Sequence, residues 1–284
     1  MLDVNGFGFD PPFDAELLRH RRRPAPVTLD VTTPNVARMY DYYLSGKDNY
    51  AADRAAAEEV IARFPLTREI ARANRAFLGR AVRFLAAEAG IGQFIDLGAG
   101  LPTQDNVHQV AQRANPDARV VYVDCDPVVL VHARAILARD GQTEAIPGDV
   151  RVPAEILGDC DLHALLDLSR PVALLLVAVL HFIPDEEGPH AAVKTLMEAL
   201  VPGSYLVVSH VEYRPELVEA AGVYKRANAP VVLRTPEEIG TFFEGLTLVE
   251  PGLVNVRSWR PDLQVLDRRF DPDVPFYGGV AIKS

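Results

Sequence analysis

The feature that most restricts this 284-residue chain is an unbroken apolar run at residues 172–180, VALLLVAVL. It is too short to span a bilayer as a helix, which takes about 20 residues. Its length suits a strand. A strand that is apolar at every position must be buried on both faces, and that happens in parallel sheets covered by helices on each side. The rest of the chain must then supply more strands, with helices between them.

It does so from residue 90 onward. Residues 94–97 form a short strand that runs into a glycine turn, and further strands are predicted at 119–123, 143–147 and 205–211. Helices are predicted at 104–113, with Thr103 as N-cap, at 127–139 and at 187–200. Residues 154–168 read as helical or mixed, and 214–228 as helical. Thr235, Pro236, Glu237 and Glu238 make a capping box with proline at the first helical position, opening a helix to about Phe243. Late strands fall at 246–250, with a continuation through 254–256, and at 277–282. Alternation of this kind predicts an α/β fold, a Rossmann-like, doubly wound and mostly parallel sheet.

Before residue 90 there is no strand signal. Residues 34–89 read as a helical cap of three helices. In the first, Pro34 occupies the opening turn, Val36, Met39, Tyr40, Tyr43 and Leu44 make an apolar stripe, and Gly46 ends it. The second covers 51–63. The third covers 66–89, with Ile70, Phe77, Val82 and Leu85 inside. Residues 1–33, with Arg19 and Arg21 to Arg23, are expected to be a flexible segment. That leaves 90–284 as the sheet domain.

Lys and Arg number 29 against 39 Asp and Glu, a net charge of −10. This disfavours a nucleic-acid partner, which calls for clustered positive charge. Cys125 and Cys160 are the only cysteines, too few for a disulfide framework or a cysteine-rich metal site. With no secretory leader pattern and no membrane span, a soluble cytoplasmic protein is expected. No sequence signature speaks to oligomeric state.

The chemistry gathers at strand ends. Asp96, Leu97, Gly98, Ala99 and Gly100 follow the first strand, where glycines allow a tight turn and close approach of backbone to ligand. A dinucleotide fingerprint would need a third glycine at 103, but Thr103 stands there. The Asp96 carboxylate would repel a pyrophosphate and suits an ammonium or a hydroxyl. Asp124, beside Cys125, ends the second strand and can accept from ribose hydroxyls, a role common to NAD and S-adenosylmethionine. Asp126 is read as a cap for the helix that opens at Pro127. Asp149, followed by Val150, can accept from an adenine amino group. Three carboxylates at successive strand ends point to one crevice.

With these residues in place, the chain resembles the class I S-adenosylmethionine-dependent methyltransferases. More narrowly, it resembles an actinobacterial group of methyltransferase-like proteins of unknown substrate. The likeness rests on NVARMYDYYLSGKDNY at 35–50, DLGAGLPT at 96–103 and YVDCDP at 122–127. It implies seven strands, the last one antiparallel, and S-adenosyl-L-methionine as cofactor. Asp96, Gly98, Ala99, Gly100 and Thr103 would hold the methionine end, Asp124 and Cys125 the ribose, and Asp149 and Val150 the adenine. Ala178 through His181 would line the methyl-donor face. The polar break at 45–49 would form a lid, with Lys47 (or Arg38) meeting the cofactor carboxylate and Asn49 shaping the loop. Tyr40, Tyr42 and Tyr43 would face substrate, at least one of them serving as core.

In such a reaction the sulfonium carries its own activation, and the protein aligns the acceptor. His181, after the fourth strand, is the candidate base. His210, a candidate substrate contact, and Glu212 follow the fifth strand as reserves. No metal site is expected, and the spacing of His181, His210 and Glu212 demands none. There is no G-x-S-x-G elbow and no P-loop. The expectation is methyl transfer to a small-molecule acceptor. The alternatives are a non-catalytic cofactor-binding protein and, disfavoured by Thr103, a nicotinamide oxidoreductase.

Overall fold

The computed structural model describes residues 30–102, 105–137, 141–261 and 273–284. The basic run at 19–23, the predicted cap Thr103 and most of the expected N-terminal segment lie outside them. Helices α1 (Val36–Tyr43), α2 (Ala51–Arg63) and α3 (Thr67–Ala87) come first. Strands β1 (Gln93–Leu97), β2 (Arg119–Asp124), β3 (Thr143–Pro147), β4 (Ala173–Val177) and β5 (Tyr205–Val211) follow. They alternate with α4 (Val107–Ala114), α5 (Pro127–Leu137), α6 (Pro153–Leu157), α7 (Cys160–Leu165) and α8 (Pro189–Glu198). After α9 (Val218–Ala221) and α10 (Pro236–Gly240) the chain ends in β6 (Thr247–Leu248), β7 (Val254–Asn255) and β8 (Phe276–Ile282).

The strand order is β3-β2-β1-β4-β5-β8-β6, with β7 also paired to β8. Strands β1 to β5 pair in parallel, and β8 runs antiparallel to β5, β6 and β7. There are eight strands among the described residues where seven were expected. The addition is the two-residue β7, read in the sequence only as a continuation of the strand before it. Strand order reverses between β1 and β4, and in an open α/β sheet a ligand crevice forms at such a switch point, beyond the carboxyl ends of the strands.

The apolar run behaves as its composition requires. Ala173 and Leu175 pack into one core, while Leu174 and Leu176 pack into the core on the opposite face. All four are at most 1% exposed, so neither face of β4 sees water. Burying a leucine side chain in this way stabilises by about 1.5–3 kcal/mol.

Helix α3 covers one face of the sheet. Phe77, Leu78, Val82 and Leu85 share a core with β1, β4 and β8. Phe77 rests on Gly278 of β8, where a Cβ would come within 2.8 Å of its ring, and meets Trp259 edge-on at 5.6 Å. So the last part of the 34–89 segment is a layer of the sandwich. Helices α1 and α2 form a separate cluster in which Met39, Tyr43 and Val60 pack against Ala220 and Val223.

Several boundaries shift for identifiable reasons. Pro34 lies before α1 and not in its opening turn, because the helix is capped at Asn35, whose side chain accepts from the amides of Ala37 and Arg38. Helix α4 starts at Val107, since Asn106 and Gln109 form a capping box and Asp105 has a positive φ of 57°. The predicted helix at 214–228 divides into two 3-10 segments around the four-residue α9.

Candidate active site

Parallel β-α units bring every strand's carboxyl end to one edge, and there a cleft of about 300 Å3 opens. Its floor is Asp96, Gly98, Ala99 and Gly100 after β1, Asp124 and Cys125 after β2, Asp149 and Val150 after β3, and Ala178 after β4. The roof includes Asn35, Tyr40 and Asp41 of the α1 region, Asn74 and Arg75 of α3, and residues 228–230.

Asp96 is 7% exposed, and its carboxyl takes no hydrogen bond from any described residue. Burial pushes its carboxyl up to about 7, with Arg75 opposing and Asp124 adding to the rise. Asp124 is held on both oxygens, by Gly100 N–H at 2.9 Å and Asp126 N–H at 2.8 Å. Burial raises it to about 6 against those two hydrogen bonds. A carboxylate offers about four acceptor positions, so Asp124 keeps capacity for a ligand. Gly98 has φ of 65°, and a Cβ there would lie 2.6 Å from Val179 Cγ2, so both its conformation and its neighbours exclude larger residues.

Asp149 lines the cleft, but its carboxylate is engaged by Arg151, with Nη2 at 2.5 Å from Oδ2, and Arg151 continues to Glu187 at 2.9 Å. Those hydrogen bonds hold Asp149 below the usual carboxylate range. Burial and the carboxylates of Asp124 and Asp149 push the Cys125 thiol up to about 11, so it is no thiolate at neutral pH.

Expectations for five residues of the cap and β5 change. Lys47 is exposed and does not line the cleft. The 45–49 loop folds back on Asp41, whose Oδ2 accepts from Asp48 N–H at 3.0 Å and Asn49 Nδ2 at 2.8 Å. Asn49 therefore shapes the loop as expected, while Lys47 stays outside. Arg38 is committed to Asp53 at 2.8 Å in a buried ion pair. Tyr42 turns away from the cleft toward Glu58 and Arg68. His210 is fully buried and does not line the cleft, its Nδ1 donating to Val211 O at 2.7 Å and its Nε2 accepting from Arg234 at 2.8 Å. Glu212 pairs with Arg214.

A second chamber of about 90 Å3 shares Val36, Tyr40, Ala178 and Phe182 with the cleft. It holds Tyr43 and His181, as expected, along with Tyr224 and Phe276. The boundary between the two cavities is built by a chain of hydrogen bonds. Ala178 N–H donates to Ser209 Oγ at 3.0 Å, Ser209 Oγ to Asn74 Oδ1 at 2.6 Å, and Asn74 Nδ2 to Tyr40 OH at 2.9 Å. These bonds hold Ala178 at a positive φ of 60°, a strain that tends to occur at functional sites. His181 is 6% exposed, and burial drives its pKa well below the usual histidine value, so the ring is neutral at pH 7.

Asn74, Arg75 and Arg234 were not singled out from sequence. Asn74 did carry a signal, because it sits on the buried stripe of α3 with Phe77, Leu78 and Ala81. A polar residue in that stripe needs a buried partner.

This geometry can be set beside known proteins. The family described as S-adenosyl methyltransferase matches residues 22–284. The chain belongs to that family. Among solved structures, this S-adenosyl methyltransferase family member is similar to a DUF574 family protein from Streptomyces avermitilis MA-4680. The two are 43% identical over 90% of this chain and 99% of that one, with a TM-score of 0.86. A candidate methyltransferase from Thermobifida fusca YX is 44% identical over 93% of this chain and 99% of that one, with a TM-score of 0.85. An O-methyltransferase family protein from Burkholderia thailandensis, 15% identical over 84% of this chain and 74% of that one, shares the fold alone, with a TM-score of 0.50. No curated protein matches significantly.

Proposed function

We propose that the chain transfers the methyl group of S-adenosyl-L-methionine to a small acceptor. The observation that carries this reading is Asp96, a buried carboxylate on the cleft floor with no hydrogen-bond partner among the described residues. A cationic ammonium restores what burial takes from it, whereas a phosphate would worsen its position.

The remaining walls fit the rest of such a ligand. Asp96, Gly98, Ala99 and Gly100 hold its amino-acid end, Asp124 and Cys125 its ribose, and Val150 with Asp149 its base. Arg75, on the same cleft, takes the carboxylate role expected of Lys47. When bound, the cofactor supplies a methyl group already activated by the sulfonium. The protein then has to exclude water and align the acceptor, which the α1 roof and the Ala178 boundary do. His181, neutral in the neighbouring chamber, is the candidate base, a weak one because burial resists its protonation.

Calorimetric titration with S-adenosylmethionine, its demethylated product, NAD and NADP tests this. The first two are expected to bind and the nicotinamides are not. Tight NAD binding, or loss of nothing in Asp96→Asn, would sink the reading. Cofactor binding without methyl loss across a broad acceptor library would favour a non-catalytic binding protein.

A further inference from the structure

The second chamber has a composition that selects its occupant. None of its lining residues is Asp, Glu, Lys or Arg. Most of its hydroxyls are already used. Tyr43 and Tyr224 bond each other at 2.8 Å, Tyr40 donates to Ala71 O at 3.1 Å, and Thr67 donates to Phe64 O at 2.6 Å. Bringing a charged group here would leave it unpaired in an apolar space, at a cost of several kcal/mol.

Two polar groups are left over: one O–H of the Tyr43–Tyr224 pair, which shares a single hydrogen between its oxygens, and the His181 ring. His181 Nδ1 is buried and has no hydrogen-bond partner among the described residues. The ring lies among flat neighbours, with Phe182 at 4.2 Å and Phe276 at 5.7 Å between centroids. An orphaned buried imidazole loses the free energy of its missing hydrogen bonds, about 1–3 kcal/mol. A ligand that supplies one recovers part of that.

Size narrows the choice. An engineered apolar cavity of about 150 Å3 holds benzene. The chamber's 90 Å3 is smaller than that and shares four wall residues with the 300 Å3 cleft, so its occupant is at most a single ring.

We infer that the chamber receives the uncharged ring of a hydroxylated acceptor, a phenol by chemical class, with its hydroxyl hydrogen-bonded to His181. Calling the ring an acceptor rests on the proposed methyl transfer. The selectivity of the chamber does not.

The test titrates the full chain, with and without S-adenosylhomocysteine, with 4-methylphenol, toluene and 4-methylbenzoate. It is followed by calorimetry and by the nitrogen chemical shifts of the His181 ring. 4-Methylphenol is expected to bind about threefold to tenfold more tightly than toluene, the worth of one hydrogen bond. It should also shift the His181 resonances, and 4-methylbenzoate should not bind. His181→Phe should equalise 4-methylphenol and toluene. Leu217→Trp, which fills the chamber, should abolish binding of both rings. Equal affinities in the native chain, a preference for the benzoate, or 4-methylphenol binding untouched by both variants overturns the inference. If the ring pattern holds while S-adenosylhomocysteine fails to bind, the reading of the cleft is wrong and the chamber's selectivity stands.

Discussion

The Asn35 side chain donates to Asp126 Oδ2 at 2.6 Å across 91 positions of sequence. Each partner also caps a helix. Asn35 Oδ1 accepts from Ala37 and Arg38 at the start of α1, and Asp126 Oδ1 accepts from Val128 in the first turn of α5. One contact thus ties the roof of the cleft to its floor, beside the ribose position proposed at Asp124.

Asn35→Ala removes a cap, worth about 1 kcal/mol, and a hydrogen bond to a carboxylate, worth about 1.5–3 kcal/mol. The variant should unfold at lower denaturant and bind S-adenosylhomocysteine several-fold more weakly. Denaturation and calorimetry read the two effects. A loss of stability with cofactor affinity unchanged would mean that the clamp does not shape the cleft.

Asp124→Asn keeps the shape of the side chain but places an amide donor among two backbone donors, Gly100 N–H and Asp126 N–H. At least one of those contacts must break. Cofactor affinity is expected to fall by tenfold or more, with a stability loss of about 1–3 kcal/mol. Unchanged affinity would remove Asp124 from the ribose position.

The pH dependence has a definite sign. An unfolded aspartate titrates near 3.9. Folded Asp96 titrates at about 7 and Asp124 at about 6. Between these values the ligand-free folded protein holds protons that the unfolded chain has released. The stability these carboxyls contribute is therefore full below pH 4 and is lost as pH rises toward 7. Buried His181 and His210, with depressed pKa values, act in the opposite sense, so the decisive quantity is a difference between variants. Asp96→Asn should gain stability relative to the native chain between pH 5 and about 7.5 in urea denaturation. Native affinity for S-adenosylmethionine should rise over that range, with protons released on binding near pH 6. A flat native affinity would argue against an ammonium at Asp96.

Two glycines should respond in opposite directions. At Gly46 a Cβ would fall 1.8 Å from Asp41 Oδ1, whereas at Gly79, inside α3, nothing lies within 4 Å. Gly79→Ala is expected to be neutral or stabilising by up to about 1 kcal/mol. Gly46→Ala should cost about 1–3 kcal/mol, because the loop must leave Asp41. Thermal unfolding of the pair checks this, and equal effects would count against the tight approach at Gly46.

The parts of the site that were legible in sequence are those fixed by strand direction. A carboxylate at the end of a parallel strand reaches the same sheet edge whatever the side chains around it do. Asp96, Asp124 and Asp149 were therefore readable as one crevice, and they line one cleft. The strand bounds at 143–147 and 205–211 also match.

The cap was less legible because its charged residues had several partners within reach. Arg38, Lys47 and Arg75 are equally good cations on paper. Only packing decides that Arg38 meets Asp53, that Lys47 faces solvent and that Arg75 enters the cleft. Likewise His210 and His181 follow neighbouring strands, yet one is locked between Val211 and Arg234 while the other opens onto a chamber. By itself the sequence determined the layered α/β architecture and the edge at which the carboxylates gather, since alternation and strand polarity are properties of the chain. The tertiary structure alone decided which cations and imidazoles face the cavities, since that depends on hydrogen bonds between residues far apart in sequence.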